Sequence, residues 1–193
     1  MTGFGRTGKM FAGEHEAVTP DFLCLAKGLT GGYSPLAATL TTARIFEAFL
    51  GAPEERRTFF YGHSYSGHPL GCAAALASLS IFRDEDVLGR LGPKMAALSQ
   101  GLEHLRQKHS RHVRAVRQCG FVAGLEVGAE VRASEVPPRW GNAVCTAARS
   151  FGLLTRPIGN TVVLMPPLCT TDVELESALS ALDQALENVF SSV

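Results

Sequence analysis

Four glycines fall within the first twenty residues, at positions 3, 5, 8 and 13, and three more follow at 28, 31 and 32. Each glycine inside a helix costs about 1 kcal/mol relative to alanine, so this stretch cannot carry a long helix. It suits loops that reverse tightly or lie close against something else. Gly3 to Lys9 reads as a loop of the kind that follows a strand, and no strand precedes it in this sequence. The expectation is therefore a chain equivalent to the C-terminal portion of a larger protein.

The next segments have clearer periods. Asp21 to Ala26 is a short apolar run after Pro20 that ends at Lys27-Gly28, which predicts a buried strand. A second strand is expected over Leu36–Thr41, a helix over 43–50, and an alanine-rich helix over 68–83 opened by Gly67-His68-Pro69. Apolar residues at 88, 91, 95, 98, 102 and 105 form a helical stripe. Pro93 inside it predicts a kink or a late start. Two strand pieces are expected around Gly120 within Val113–Val127, then a helix over 139–151. A strand, a turn over Pro157–Asn160 and the run Thr161 to Met165 follow. Thr171 and Glu174 have capping-box spacing before an apolar stripe at 175, 178, 179, 182, 185, 186 and 189. This order predicts an α/β fold in two domains, residues 1–85 and 86–193, divided at the charge cluster Arg83-Asp84-Glu85-Asp86.

Bulk properties narrow the function classes. Hydrophobic residues at 46% and charged residues at 19% are those of a folded globular chain. Lysine plus arginine equals aspartate plus glutamate, 18 of each, which argues against a nucleic-acid binder and leaves little repulsion against self-association. No apolar run approaches the roughly 20 residues of a spanning helix, so no membrane partner is expected. Five cysteines without CxxC spacing make neither a disulfide framework nor a metal site; a reducing, cytoplasmic setting is the expectation.

Lys27 is the first candidate for chemistry. A lysine amine attacks only when neutral, and burial favours the neutral form. A lysine just past a buried strand could have that setting, with glycines beside it that let a flat ring and a phosphate approach the backbone. On the residues alone it could equally be a solvated strand-end lysine.

A family resemblance bears on that choice. Gly3-Phe4-Gly5-Arg6-Thr7-Gly8-Lys9-Met10-Phe11, Pro20-Asp21 and Leu25-Ala26-Lys27-Gly28-Leu29-Thr30-Gly31-Gly32 resemble, with matching spacing, the signature of the class III pyridoxal-phosphate aminotransferases. The resemblance implies the C-terminal part of a fold type I transferase: part of the large-domain sheet, then a small α+β domain. It implies that the lysine at Lys27 forms the Schiff base with pyridoxal 5'-phosphate and moves the substrate proton. Tyr61-Gly62-His63-Ser64-Tyr65-Ser66-Gly67-His68-Pro69-Leu70 resembles a second landmark. There the hydroxyl residue, matched by Ser64, binds the cofactor phosphate of the neighbouring subunit of a homodimer. His63 beside it joins the cofactor-binding candidates. The family mostly has threonine at Ser64 and often asparagine at His68. His63 and His68 have no metal spacing, and loop roles are expected for them.

Arg156-Pro157-Ile158-Gly159-Asn160 with Leu164 to Leu168 resembles a third landmark. It implies that Arg156 binds a substrate carboxylate through its planar fork of donors; a surface arginine before a turn is the plain alternative. Asn160 is expected to serve the turn. Met10 to Glu16 and Leu36 to Thr42 resemble most closely the branch that moves an amino group from S-adenosylmethionine to 8-amino-7-oxononanoate in biotin synthesis. Acetylornithine and ω-amino-acid branches share much of the pattern. The resemblance also implies an aspartate for the cofactor's pyridine nitrogen before Gly3, and a half-site that this sequence lacks. A non-catalytic fragment or an assembly module is the competing expectation.

Overall fold

The computed structural model describes residues 1–129 and 139–191. The chain forms two compact units, Met1–Leu88 and Gly89–Val193.

The first unit opens with the glycine-rich loop and a 3-10 turn at Ala12–His15. Strand β1 (Phe22–Leu25) pairs with β2 (Ala38–Thr41) in an antiparallel ribbon, Phe22 opposite Thr41 and Leu25 opposite Ala38. These two strands therefore do not pair in parallel. A parallel return needs a crossover, usually a helix. Here residues 26–37 instead hold a 3-10 turn at Lys27–Thr30 and the left-handed Gly31 and Gly32, which reverse the chain. Nor is β1 buried: its residues alternate between exposed and half-buried, and Phe22 is 58% exposed.

Helix α1 (Ala43–Glu47) is shorter than expected. Helix α2 (Pro69–Asp84) has proline at its first position, where the missing N–H costs nothing. The core of this unit is small. Phe4, Leu29 and Ala75 are its buried apolar residues, with Met10, Phe11, Leu25, Leu36, Ala38 and Phe82 packed around them.

The second unit is better filled. Helix α3 (Val87–Lys108) runs through Pro93 rather than starting near it. The carbonyl that Pro93 cannot bond belongs to Gly89, in the first turn, where the intrahelical ladder is only beginning. Leu91, Leu98, Leu102 and Leu105 are buried along the expected stripe. Strands β3 (Val113–Cys119), β4 (Val122–Val127), β5 (Arg156–Ile158) and β6 (Thr161–Leu164) form an antiparallel sheet in the order β3-β4-β6-β5. Helices α4 (Trp140–Ser150) and α5 (Asp172–Phe190) complete the unit.

Strand alternation separates two faces of this sheet. The row Val116, Leu125, Val162 and Pro157 contains the fully buried Leu125 and Val162. The row Arg117, Gly124, Val163 and Arg156 points the other way and ends in exposed arginines.

Two local interactions set α5. Thr171 Oγ1 accepts from the Glu174 N–H at 3.3 Å, and the Glu174 carboxylate accepts from the Thr171 N–H at 2.8 Å, completing the predicted capping box. Farther along, the Asp183 carboxylate accepts from Lys108 Nζ and meets His109 Nε2, both at 2.6 Å, which ties α5 to the end of α3.

Candidate active site

Lys27 opens the turn that ends β1, and its backbone is left-handed, with φ of 51°. A lysine in that region carries about 1–2 kcal/mol of strain. Such strain persists where surrounding structure holds it and is enriched at functional sites. What holds it is visible on both sides. The ring of Phe4 lies over Gly28 so closely that a Cβ there would fall 2.8 Å from Phe4 Cδ2. On the other side, Ser78 Oγ of α2 donates to the Gly28 carbonyl at 3.4 Å. The glycine after Lys27 therefore serves close packing against Phe4. Gly31 and Gly32, with φ of 60° and 87°, make the turn beyond it.

The lysine side chain is exposed rather than desolvated. The burial argued from the sequence fails because β1 has only β2 beside it and belongs to no filled layer. Among the described residues the Lys27 amine has no hydrogen-bond or ion-pair partner.

Ser64 and His63 lie on the exposed loop before α2. The His63 carbonyl accepts from the Ser66 N–H at 2.9 Å, and the His63 N–H donates to Ser66 Oγ at 3.1 Å. His63 Nδ1 accepts from the Tyr65 N–H at 3.1 Å. Three hydrogen bonds thus close a turn around Ser64 and leave its hydroxyl at the surface. The loop ends at His68, whose Nδ1 accepts from the Gly71 N–H at 3.2 Å and caps α2. Measured along α2, ten residues separate this cap from Ser78 at the lysine turn, about 15 Å of helix rise. One helix therefore supports both Lys27 and the Ser64 loop, at different heights.

Arg156 belongs to the other unit, on edge strand β5, exposed and without an ion-pair partner among the described residues. Its strand returns into β6 through Gly159 and Asn160, with Gly159 left-handed at φ of 59°. The turn is shorter than expected, because Pro157 and Ile158 pair with Val162 and Thr161. Asn160 does more than serve this turn: its Oδ1 accepts from the Gly141 N–H of α4 at 3.2 Å. Gly141 sits tight under the hairpin, and a Cβ there would lie 2.6 Å from the Gly159 carbonyl. This docking of α4 fixes the strand that presents Arg156.

Ser78, the Phe4–Gly28 contact and the capping role of His68 are not among the residues and roles expected above. Only the last had a local signal, a polar residue directly before a proline at a helix start. Among the described residues no group of histidine, cysteine or acidic side chains could hold a metal ion, and no helix is long and apolar enough to cross a membrane.

A glycine-braced lysine turn beside a helix, followed by a four-stranded α+β unit, is the α/β arrangement of the aminotransferases, and sequence comparison agrees. The profile of the family "Aminotransferase class-III" matches residues 1–186, and the chain belongs to that family. A relative from Geobacter sulfurreducens, adenosylmethionine-8-amino-7-oxononanoate aminotransferase, is 45% identical over 191 residues, which are 97% of this chain and 42% of the relative. The crystal structure of the enzyme of that name from Methanocaldococcus jannaschii superposes with a TM-score of 0.87 at 43% identity, over 97% of this chain and 44% of that one. An (S)-enantioselective omega-transaminase from Thermomicrobium roseum gives 0.84 at 32% identity, over 98% of this chain and 42% of that one. The chain thus spans about two fifths of the length of the curated relatives it matches.

Proposed function

We propose that this chain is the lysine-bearing part of an aminotransferase that moves an amino group from S-adenosylmethionine to 8-amino-7-oxononanoate, using pyridoxal 5'-phosphate on Lys27. The observation that carries the substrate assignment is the gap in identity. Relatives bearing the corresponding name range from 35% to 47% identity, against 32% for the omega-transaminase. The ω-amino-acid alternative thereby ranks second, and the acetylornithine alternative is left to the assay.

The residues present fit the cofactor. Lys27 offers an amine without a partner among the described residues, on a backbone braced by Phe4 and Ser78. A Cβ built at Gly32 meets nothing within 4 Å, so there is open space beside the turn. When bound, the cofactor supplies the electron sink of the reaction. The protein's part is position and proton movement. Lys27 Nζ would hold the cofactor and, when free, would carry the proton removed from the substrate carbon. Ser64 Oγ donates to a phosphate oxygen, with His63 beside it. The guanidinium of Arg156 receives the carboxylate of the oxononanoate, a pairing in which two parallel N–H donors meet two oxygens. In this reading the first unit is the C-terminal part of the cofactor-binding domain and the second is the small domain. The height difference along α2 supports a homodimer in which the Ser64 loop of one chain serves the lysine of the other. The five cysteines are free, which suits a reducing cytoplasm.

The test is amino transfer by the chain fused behind the N-terminal portion of the Geobacter relative, with the chain alone in parallel. Transfer from S-adenosylmethionine to 8-amino-7-oxononanoate, lost in Lys27→Ala, is expected of the fusion. Turnover of acetylornithine or an ω-amino acid in its place would move the chain to another branch. For the chain alone, a visible absorption band with pyridoxal phosphate that can be fixed by borohydride, and that is absent in Lys27→Ala, would show cofactor attachment without the rest of the site.

A further inference from the structure

The loop around Ser64 is held by two histidine rings, and both act in the same way. His63 Nδ1 accepts from the Tyr65 N–H at 3.1 Å and His68 Nδ1 accepts from the Gly71 N–H at 3.2 Å. A backbone N–H can only donate. Each Nδ1 must therefore carry its lone pair, and each ring must be neutral with its proton on Nε2. We propose that His63 and His68 are positioning residues of the loop Tyr61–His68, and that protonation of these two rings releases the loop, making it an acid-sensitive grip on whatever Ser64 holds.

The consequences of protonation differ at the two positions. Gly71 is buried, so its N–H has no water to turn to when His68 gains a proton and stops accepting. The new imidazolium would also face the positive end of a helix of 16 residues. His63 is exposed, and water can replace its bond to Tyr65. His68 therefore sets the main effect and His63 tightens the turn. The titratable group between them is Tyr65, its ring centre 6.4 Å from that of His63 and 6.2 Å from that of His68. From α2 comes Cys72, whose N–H donates to the His68 carbonyl. From the segment before β2 come Ser34 and Leu36, which approach Gly71 and are uncharged. Neither ring has an ion-pair partner among the described residues, so nothing charged opposes the loss of the bond. Asparagine, the residue common in the family at His68, accepts at any pH. The histidine adds pH dependence to a cap that otherwise has none.

The consequence for a phosphate rests on the reading of Ser64 given above, but the loop chemistry does not. The experiment separates the two by following the loop itself. Hydrogen-exchange protection of the Gly71 and Tyr65 amides in the 193-residue chain is measured from pH 8 to 5, the range in which histidines change charge, and corrected for intrinsic exchange. Protection at Gly71 is expected to fall toward acid by up to about tenfold per pH unit, as for loss of one proton-sensitive bond. In His68→Asn it should stay level, and in His68→Ala it should be low at every pH. Protection at Gly71 that is unchanged from pH 8 to 5, or an acid loss that survives in His68→Asn, would overturn the proposal. A parallel series compares binding of pyridoxal phosphate with that of pyridoxal. A phosphate preference that fades with the loop supports both readings. A preference that ignores the titration while Gly71 follows it upholds the loop proposal and removes the Ser64 assignment.

Discussion

At the scale of single residues, Lys27 combines a free amine with a left-handed backbone, and substitution can pull these two properties apart. Lys27→Ala removes the amine and leaves a Cβ in the unfavourable region. Lys27→Gly removes both. Glycine carries no left-handed penalty, so Lys27→Gly is expected to be more stable than Lys27→Ala by about 1 kcal/mol, reversing the usual order of the two residues. Urea unfolding of the variants checks it. Equal stabilities would mean that the turn relaxes in the free chain and that the strain is not held by Phe4 and Ser78. Neither variant should form a borohydride-stable adduct with pyridoxal phosphate.

Elements differ in how far their surroundings matter. The start of α5 depends on bonds within four residues. Hydrogen bonds from the Thr171 N–H and then from its hydroxyl hold the Glu174 carboxyl below its ordinary range. A carboxylate favoured in the folded state contributes stability above its unfolded value, and that contribution is lost as pH falls through the lowered folded value. Stability of the second unit should therefore decline below about pH 4.5, the ordinary value for this group, and Glu174→Gln should decline less steeply. Urea titrations at pH 7 and pH 3 would show it. The cap and most of the stripe of this helix were legible, since both are local patterns, but the buried Ala181 and Phe190 fell outside the expected stripe. The long stripe of α3 was legible for the same reason, although Pro93 did not delay the helix. The β1–β2 ribbon was legible as two strands but not in its direction, which depends on how residues 26–37 reverse. The candidate site was legible only through resemblance. Contacts such as Phe4 over Gly28, Ser78 to the Gly28 carbonyl and Asn160 to Gly141 join residues 19 to 50 positions apart. No period or short motif encodes such pairs.

At the scale of the molecule the two units are unequally filled. Phe121, Leu98, Leu102, Val144, Val162, Leu182 and Leu186 are fully buried in the second. The first unit leaves Tyr33, Phe60, Tyr61 and Leu70 more than two thirds exposed. Burial of apolar surface is the main source of stability, so the first unit should unfold at lower urea than the second. The single tryptophan makes this measurable. Trp140 packs on Phe190 in the second unit, 5.1 Å between ring centres. Its fluorescence should report only the later transition, while far-ultraviolet circular dichroism reports both. Coincident curves would mean that the units unfold together.

Helix α2 grips the lysine turn at Ser78 and the Ser64 loop at His68, and its 16 residues form a rod about 24 Å long. In a paired arrangement where each loop serves the other chain's lysine, that rod mechanically links two cofactor sites. If the proposed homodimer forms, filling one site would alter the grip at the other, and cofactor uptake would be cooperative, with a Hill coefficient away from one. Cutting the link with Ser78→Ala should restore independent, hyperbolic uptake.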